Sequence, residues 1–146
     1  MNINKFPQIV IVEDSNEDFD TVQHAIKKAG LVAEVTRVTS GGGCLDLLRG
    51  ATAIQPAIVL MDLNTAGIDG REAIALIKAD PVLKIDPVVV LSASSNPKDL
   101  AFCYAAGANA YHVKPVRYPD HIQIVIDLLT YWLGRVVLPE LEGKNP

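Results

Sequence analysis

Residues 9–15 read IVIVEDS, a short, β-branched, wholly apolar run that ends on two adjacent carboxylates, Glu13 and Asp14. Such a run suits a strand buried on both faces, as in the middle of a parallel sheet. Similar runs follow at 57–61 (AIVLM), 88–91 (VVVL) and 110–113 (AYHV), and the next polar residues are Asp62, Ser92 and Lys114 respectively. The segment 33–38, AEVTRV, alternates apolar and polar residues as a half-exposed edge strand would. Helix-length stretches lie between these runs, at 16–29, 43–52, 71–79, 97–106 and 118–133. Strict βαβα alternation with right-handed crossovers predicts an α/β fold, a doubly wound five-stranded parallel sheet with helices on both faces. The first helix is bounded by Ser15, with Asp18 in the capping-box place usually held by Glu or Gln, and by Gly30 as a left-handed terminator.

The rest of the composition narrows the class. At 146 residues, 49% hydrophobic and 21% charged, the chain suits a single domain over 1–146, with a C-terminal extension from 134 that ends in a polar tail. Its formal charge of -4 argues against nucleic acid as the main partner, because a phosphate-binding module carries a basic face. Cys44 and Cys103 are far apart and lack metal or redox spacing, so both read as reduced core residues. No apolar run approaches the ~18 residues of a membrane span, and a cytoplasmic location is expected.

In an open parallel sheet the carboxyl ends of the strands share one edge, where ligands bind. Glu13, Asp14, Asp62, Ser92 and Lys114 therefore converge. Neighbouring carboxylates repel by about 4 kcal/mol per pair at ~4 Å and a dielectric of roughly 20, so a counter-cation is required. Oxygen ligands without His or Cys fit a hard ion such as Mg²⁺. A carboxylate at the centre of that edge, flanked by a cation, a lysine and a hydroxyl, can attack phosphorus and form an acyl phosphate, and Asp62 holds the central place.

With those residues in place, the chain resembles the receiver domains of two-component response regulators. The resemblance rests on IVIVEDS at 9–15, IVLMDLN at 58–64, GIDG at 67–70, VVVLSAS at 88–94 and GANAYHVKP at 107–115, and spans about residues 7–133. It implies a flavodoxin-like strand order of 2-1-3-4-5 and Asp62 as phosphoacceptor. It further implies a Mg²⁺ held by Glu13, Asp14, Asp62 and the backbone carbonyl of Asn64. Lys114, before a cis Pro115, would contact the phosphoryl group; Ser92 and Tyr111 would form the switch pair, and Asn64 and Ser94 would tune loss of the phosphoryl group. The chain departs from many members at Ala66, where they carry a proline that stiffens the loop.

On a helical wheel, 122–137 confines Gln123, Asp127, Thr130 and Gly134 to a narrow stripe. Apart from Arg135 the rest is apolar across roughly 240°, more than one core-facing stripe needs. Either the end of the chain folds back on the domain, or Ile124, Leu128, Tyr131 and Trp132 pack on a second copy; a homodimer is the expectation, because a bare apolar patch of that size is seldom left exposed. With only a short segment after the last helix, output is expected through the receiver surface. The segment TYWLGRVVLP at 130–139 further resembles stand-alone response regulators that serve phytochromes, implying a bilin-bearing sensor histidine kinase as phosphodonor.

Other readings share parts of the pattern. An unphosphorylated pseudo-receiver acting as an interaction module would keep the fold, but the intact set of five polar residues argues against it. A flavodoxin-like electron carrier needs an anion-welcoming first loop, which Glu13 and Asp14 oppose. A phosphohydrolase of the haloacid dehalogenase type needs DxDxT after the first strand, where this chain has EDS, so no enzyme activity is expected. His24, His112 and His121 are too scattered for a metal cluster and read as surface or half-buried. The glycines at 41–43 lack the GxGxxG spacing and read as a flexible start to the second helix.

Overall fold

The computed structural model describes residues 6–50 and 54–139; the polar tail beyond 139 and the last positions expected in the second helix lie outside them. The order is β1 (Gln8–Val12), α1 (Asn16–Lys28), β2 (Glu34–Val38), α2 (Gly41–Arg49), β3 (Ile58–Met61), α3 (Gly70–Ala79), β4 (Val88–Ser92), α4 (Pro97–Ala106), β5 (Ala110–Val113) and α5 (Tyr118–Gly134), with one 3₁₀ turn at Leu83–Ile85 before β4. The five strands pair in parallel in the order β2-β1-β3-β4-β5.

Every residue of β1, β3 and β4 is buried, and their side chains divide by the two-residue period of a strand. Val10, Val12, Val59, Met61, Val88 and Val90 face α2, α3 and α4, packing with Leu45, Leu48, Ile74, Ile77 and Cys103. Ile9, Ile11, Ile58, Leu60, Val89 and Leu91 face α1 and α5, packing with Val22, Ala25, Ile122, Val125 and Leu129. Each such side chain contributes about 1.5–3 kcal/mol on full burial, which locks register because a one-residue slip would exchange the two faces. Strand β2 is exposed at Glu34 and half-buried beyond it, as its alternation predicts for an edge.

Local signals set the ends of the helices. Ser15 Oγ accepts from the Asp18 N–H at 3.2 Å to start α1, and Gly30, at φ 67°, stops it. There the Leu31 N–H bonds Ile26 O and the Gly30 N–H bonds Lys27 O, so two otherwise orphaned carbonyls are satisfied. Helix α2 starts at Gly41, two residues before its predicted start, because Ser40 Oγ accepts from the Gly43 N–H at 3.0 Å. A Cβ at Gly41 would lie 2.6 Å from Ile68 O, so this glycine is there for close packing, not for flexibility.

Helix α5 narrows the expected dimer face by one residue, Leu128. Gln123, Asp127 and Thr130 form the solvent stripe, but Leu128 is buried with Val125 and Leu129 in this chain's own core. Ile124 and Trp132 are half-buried against the same core, and Tyr131 is 59% exposed. The difference arises because α5 packs against both α1 and the sheet, so one apolar sector serves two neighbours within the domain.

Candidate functional site: an acidic cluster at the carboxyl edge of the sheet

Parallel pairing carries the ends of β1, β3, β4 and β5 to one edge, and the backbone bonds Asp62 N–H to Val12 O and Lys114 N–H to Ser92 O tie those ends together. Single carboxylate oxygens of Glu13, Asp14 and Asp62 lie within 4.8 Å of one another. Glu13 and Asp62 are buried and Asp14 is exposed, so the cluster is open on one side. The Asn64 N–H donates to Asp62 Oδ1 at 3.3 Å, folding the β3–α3 loop over the aspartate. These are hard oxygen donors at chelating separation, and they fit Mg²⁺.

Lys114 supplies the nearest positive charge. Its Nζ donates to Glu13 Oε1 at 2.6 Å, to Asp18 Oδ2 at 2.7 Å and to Asp62 Oδ2 at 3.3 Å. Burial pushes the Glu13 carboxyl up to about 7, with Asp62 adding to the rise and the Lys114 ammonium opposing it. For Lys114 burial works against the charge, but hydrogen bonds to Asp18 and Glu13 outweigh it and raise the ammonium above its ordinary value. The Lys114–Pro115 peptide is trans rather than cis. Trans is the lower-energy isomer of an X–Pro bond by about 0.5–1 kcal/mol, and Lys114 reaches its carboxylates with it.

The hydroxyls of Ser92, Ser94 and Tyr111 form a linked set of their own at the end of β4. Ser92 is wholly buried, and its Oγ accepts from the Ser94 N–H at 3.2 Å. Tyr111 is half-buried against the core of the α2–α3–α4 face, and its hydroxyl donates to Ser94 O at 2.9 Å. Ser94 Oγ in turn donates to Asp99 Oδ2 at 2.5 Å, and Asp99 holds Arg71 through bonds of 2.6 and 2.9 Å. The Arg71 guanidinium and the Ser94 hydroxyl hold the Asp99 carboxyl down at about 2. The loop after Ser92 is thus bonded to β5 on one side and, through α4, to α3 on the other.

Of the sequence-predicted residues, Glu13, Asp14, Asp62 and Lys114 come together directly, Ser92, Ser94 and Tyr111 are linked to one another through Ser94, and Ala66 is exposed on the loop after β3. Three features were missed. Asp18 was read as half of a capping box, yet its carboxylate goes to Lys114, and the Ser15 N–H it would have satisfied donates to Glu13 Oε2 at 3.2 Å instead. A shortened Asp in place of Glu was the signal available. The Arg71–Asp99 pair joins residues 28 apart and leaves no local trace. His121 is buried, not half-exposed, because α5 turns it toward α1; burial lowers its pKa, against the pull of Asp18.

Comparison with known proteins supplies the family. The chain is 34% identical over 135 residues to the response regulator Rcp1 of Synechocystis sp., covering 90% of this chain and 92% of that one. It is 33% identical over 129 residues to the probable methanogenesis regulatory protein FilR2 of Methanothrix harundinacea, covering 86% and 83%. The solved structure of the phosphorylated cyanobacterial phytochrome response regulator RcpA superposes with a TM-score of 0.88 at 37% identity, over 92% of this chain and 99% of that one. The Mn²⁺-bound form of Rcp1 gives a TM-score of 0.87 at 34% identity, with the same coverage. The pattern of the response regulator receiver domain matches residues 9–126, and the chain belongs to that family of phosphorylation-dependent, two-component signalling proteins.

Proposed function

We propose that Asp62 is the phosphoacceptor of this receiver and that its donor is the phosphohistidine of a phytochrome-linked sensor histidine kinase. The observation that carries the reading is the clustering of the Glu13, Asp14 and Asp62 oxygens with Lys114 Nζ 3.3 Å from Asp62. An Asp62 carboxylate oxygen forms the new bond to phosphorus, the phosphorus–nitrogen bond of the phosphohistidine breaks, and the imidazole leaves with its electron pair. Glu13, Asp14, Asp62 and the Asn64 carbonyl would hold Mg²⁺, which when bound offsets the negative charge of the phosphoryl oxygens. Lys114 pairs with those oxygens from the protein side, and the Ser92 hydroxyl leaves the Ser94 N–H to donate to one of them. Because Tyr111 bonds the carbonyl of Ser94, movement of Ser92 is felt on β5, the switch surface. Asn64 and Ser94, two positions past Asp62 and Ser92, tune hydrolysis. The phytochrome link is supported by the similarity to RcpA over 92% of the chain.

Intact-mass measurement with a small phosphodonor and Mg²⁺ tests the assignment. Wild type is expected to gain one phosphoryl group and Asp62→Asn none; an equal gain in both removes Asp62 from the mechanism.

The second part of the proposal is a homodimer through the end of α5. A groove of about 600 Å³ runs between β5 and α5, lined by Ile124, Tyr131 and Trp132 among others. Tyr131 stands 59% exposed and edge-on to Trp132, with ring centroids 6.4 Å apart, an arrangement suited to an aromatic anchor. Light scattering at micromolar concentration is expected to give a dimer mass that Tyr131→Glu reduces to the monomer. A monomer with and without a beryllofluoride phosphate mimic rejects the dimer.

A further inference from the structure

Lys114 divides its bonds between two different sets of acids. Glu13 and Asp62 belong to the acidic cluster, while Asp18 stands outside it, on the first turn of α1, where the Ser15 cap fixes the backbone. Yet the bond to Asp18, at 2.7 Å, is shorter than the one to Asp62, at 3.3 Å. Lys114 is only 10% exposed and Asp18 34%, so this is an inward contact with one wet side. The capping role does not account for the Asp18 carboxylate, which turns away from the Ser15 N–H.

An ammonium and a divalent cation compete for the same Glu13 and Asp62 oxygens, and being of like charge they repel each other. A lysine tied to those oxygens alone would have to be expelled for the metal to enter, and its positive charge would leave the edge with it. A carboxylate outside the cluster offers the ammonium a place to stay within reach of Asp62 after it gives up Glu13. We infer that Asp18 is a positioning residue: it anchors Lys114 to the side of the cluster, so that one site accommodates both the divalent cation and the lysine.

This inference rests on the assignment of Glu13, Asp14 and Asp62 as metal ligands, and binding itself separates the two. Calorimetric titration of the full chain with Mg²⁺, and with Mn²⁺ as a second probe, should be run on wild type, Asp18→Asn, Lys114→Met and the double variant. Asn keeps the shape of Asp18 and its place after the Ser15 cap, and thermal unfolding verifies that each variant is folded. Asp18→Asn is expected to bind the cation about tenfold more weakly than wild type, the size of one partly exposed charge-assisted hydrogen bond. In the Lys114→Met background the same substitution is expected to change nothing, and Asp18→Glu is expected to recover most of the wild-type affinity. Equal affinity of wild type and Asp18→Asn overturns the inference. So does an undiminished tenfold loss without Lys114, which would make Asp18 a mere contributor to the local field. Absence of binding to wild type rejects the metal assignment itself, and this inference with it.

Discussion

Lys114→Met is expected to cost about 3 kcal/mol of folding stability in the absence of divalent cations, or roughly 10 °C in Tm for a domain of this size. The methionine retains the length of the stem, so the loss is electrostatic. It leaves Glu13 and Asp62, with side chains 6% and 9% exposed, facing each other without the ammonium that bonds both. Breaking a buried pair from one side costs more than the pair was worth, because the remaining charge stays desolvated. The effect has a distinguishing sign: Mg²⁺ should restore it. A cation at a hundred times its Kd stabilises by about 2.7 kcal/mol, and Lys114→Met should gain more from it than wild type, since no ammonium has to yield. Urea unfolding with EDTA and with excess Mg²⁺ measures both effects. A deficit that Mg²⁺ leaves unchanged would mean that Lys114 does not balance the acidic cluster.

Gly70→Ala is the second large effect, of about 3 kcal/mol or more, and it arises from backbone contact alone. Gly70 opens α3 directly after the β3–α3 loop, and its N–H bonds Leu63 O at 3.0 Å. A Cβ there would lie 2.5 Å from the carbonyl oxygen of Asp62 and 2.7 Å from Leu63 Cα. Neither atom can rotate away, so the loop that carries Asp62 and Asn64 must shift. The expected result is a lowered urea midpoint together with weakened Mg²⁺ binding. Gly67→Ala makes a useful contrast: nothing lies within 4 Å of its added Cβ, and the cost there is the left-handed backbone at φ 72°. A Gly70→Ala protein as stable as wild type would show that helix and loop can separate without loss.

These two positions mark how far the chain could be read without coordinates. Order of elements, sheet direction and the gathering of Glu13, Asp14, Asp62, Ser92 and Lys114 at one edge were legible because each follows from short-range pattern. Wholly apolar runs with a polar residue at the carboxyl end need only the rule that parallel strands point the same way. The expected start of α2 falls two residues late because the glycine run at 41–43 masks the Ser40 cap, and residue 41 is glycine for a contact with Ile68 O across the fold.

The sequence by itself determined which charged side chains gather at the carboxyl edge of the sheet, since their types and their places after the strands are local facts. Tertiary structure alone decided how their charges are shared. Asp18 leaves its capping box for Lys114, 96 residues away; Arg71 and Asp99 join α3 to α4; and Leu128 enters this chain's core instead of a second copy's. Each outcome is a competition among partners brought together only by folding, where distance and desolvation choose the winner, and neither quantity is written in the order of residues.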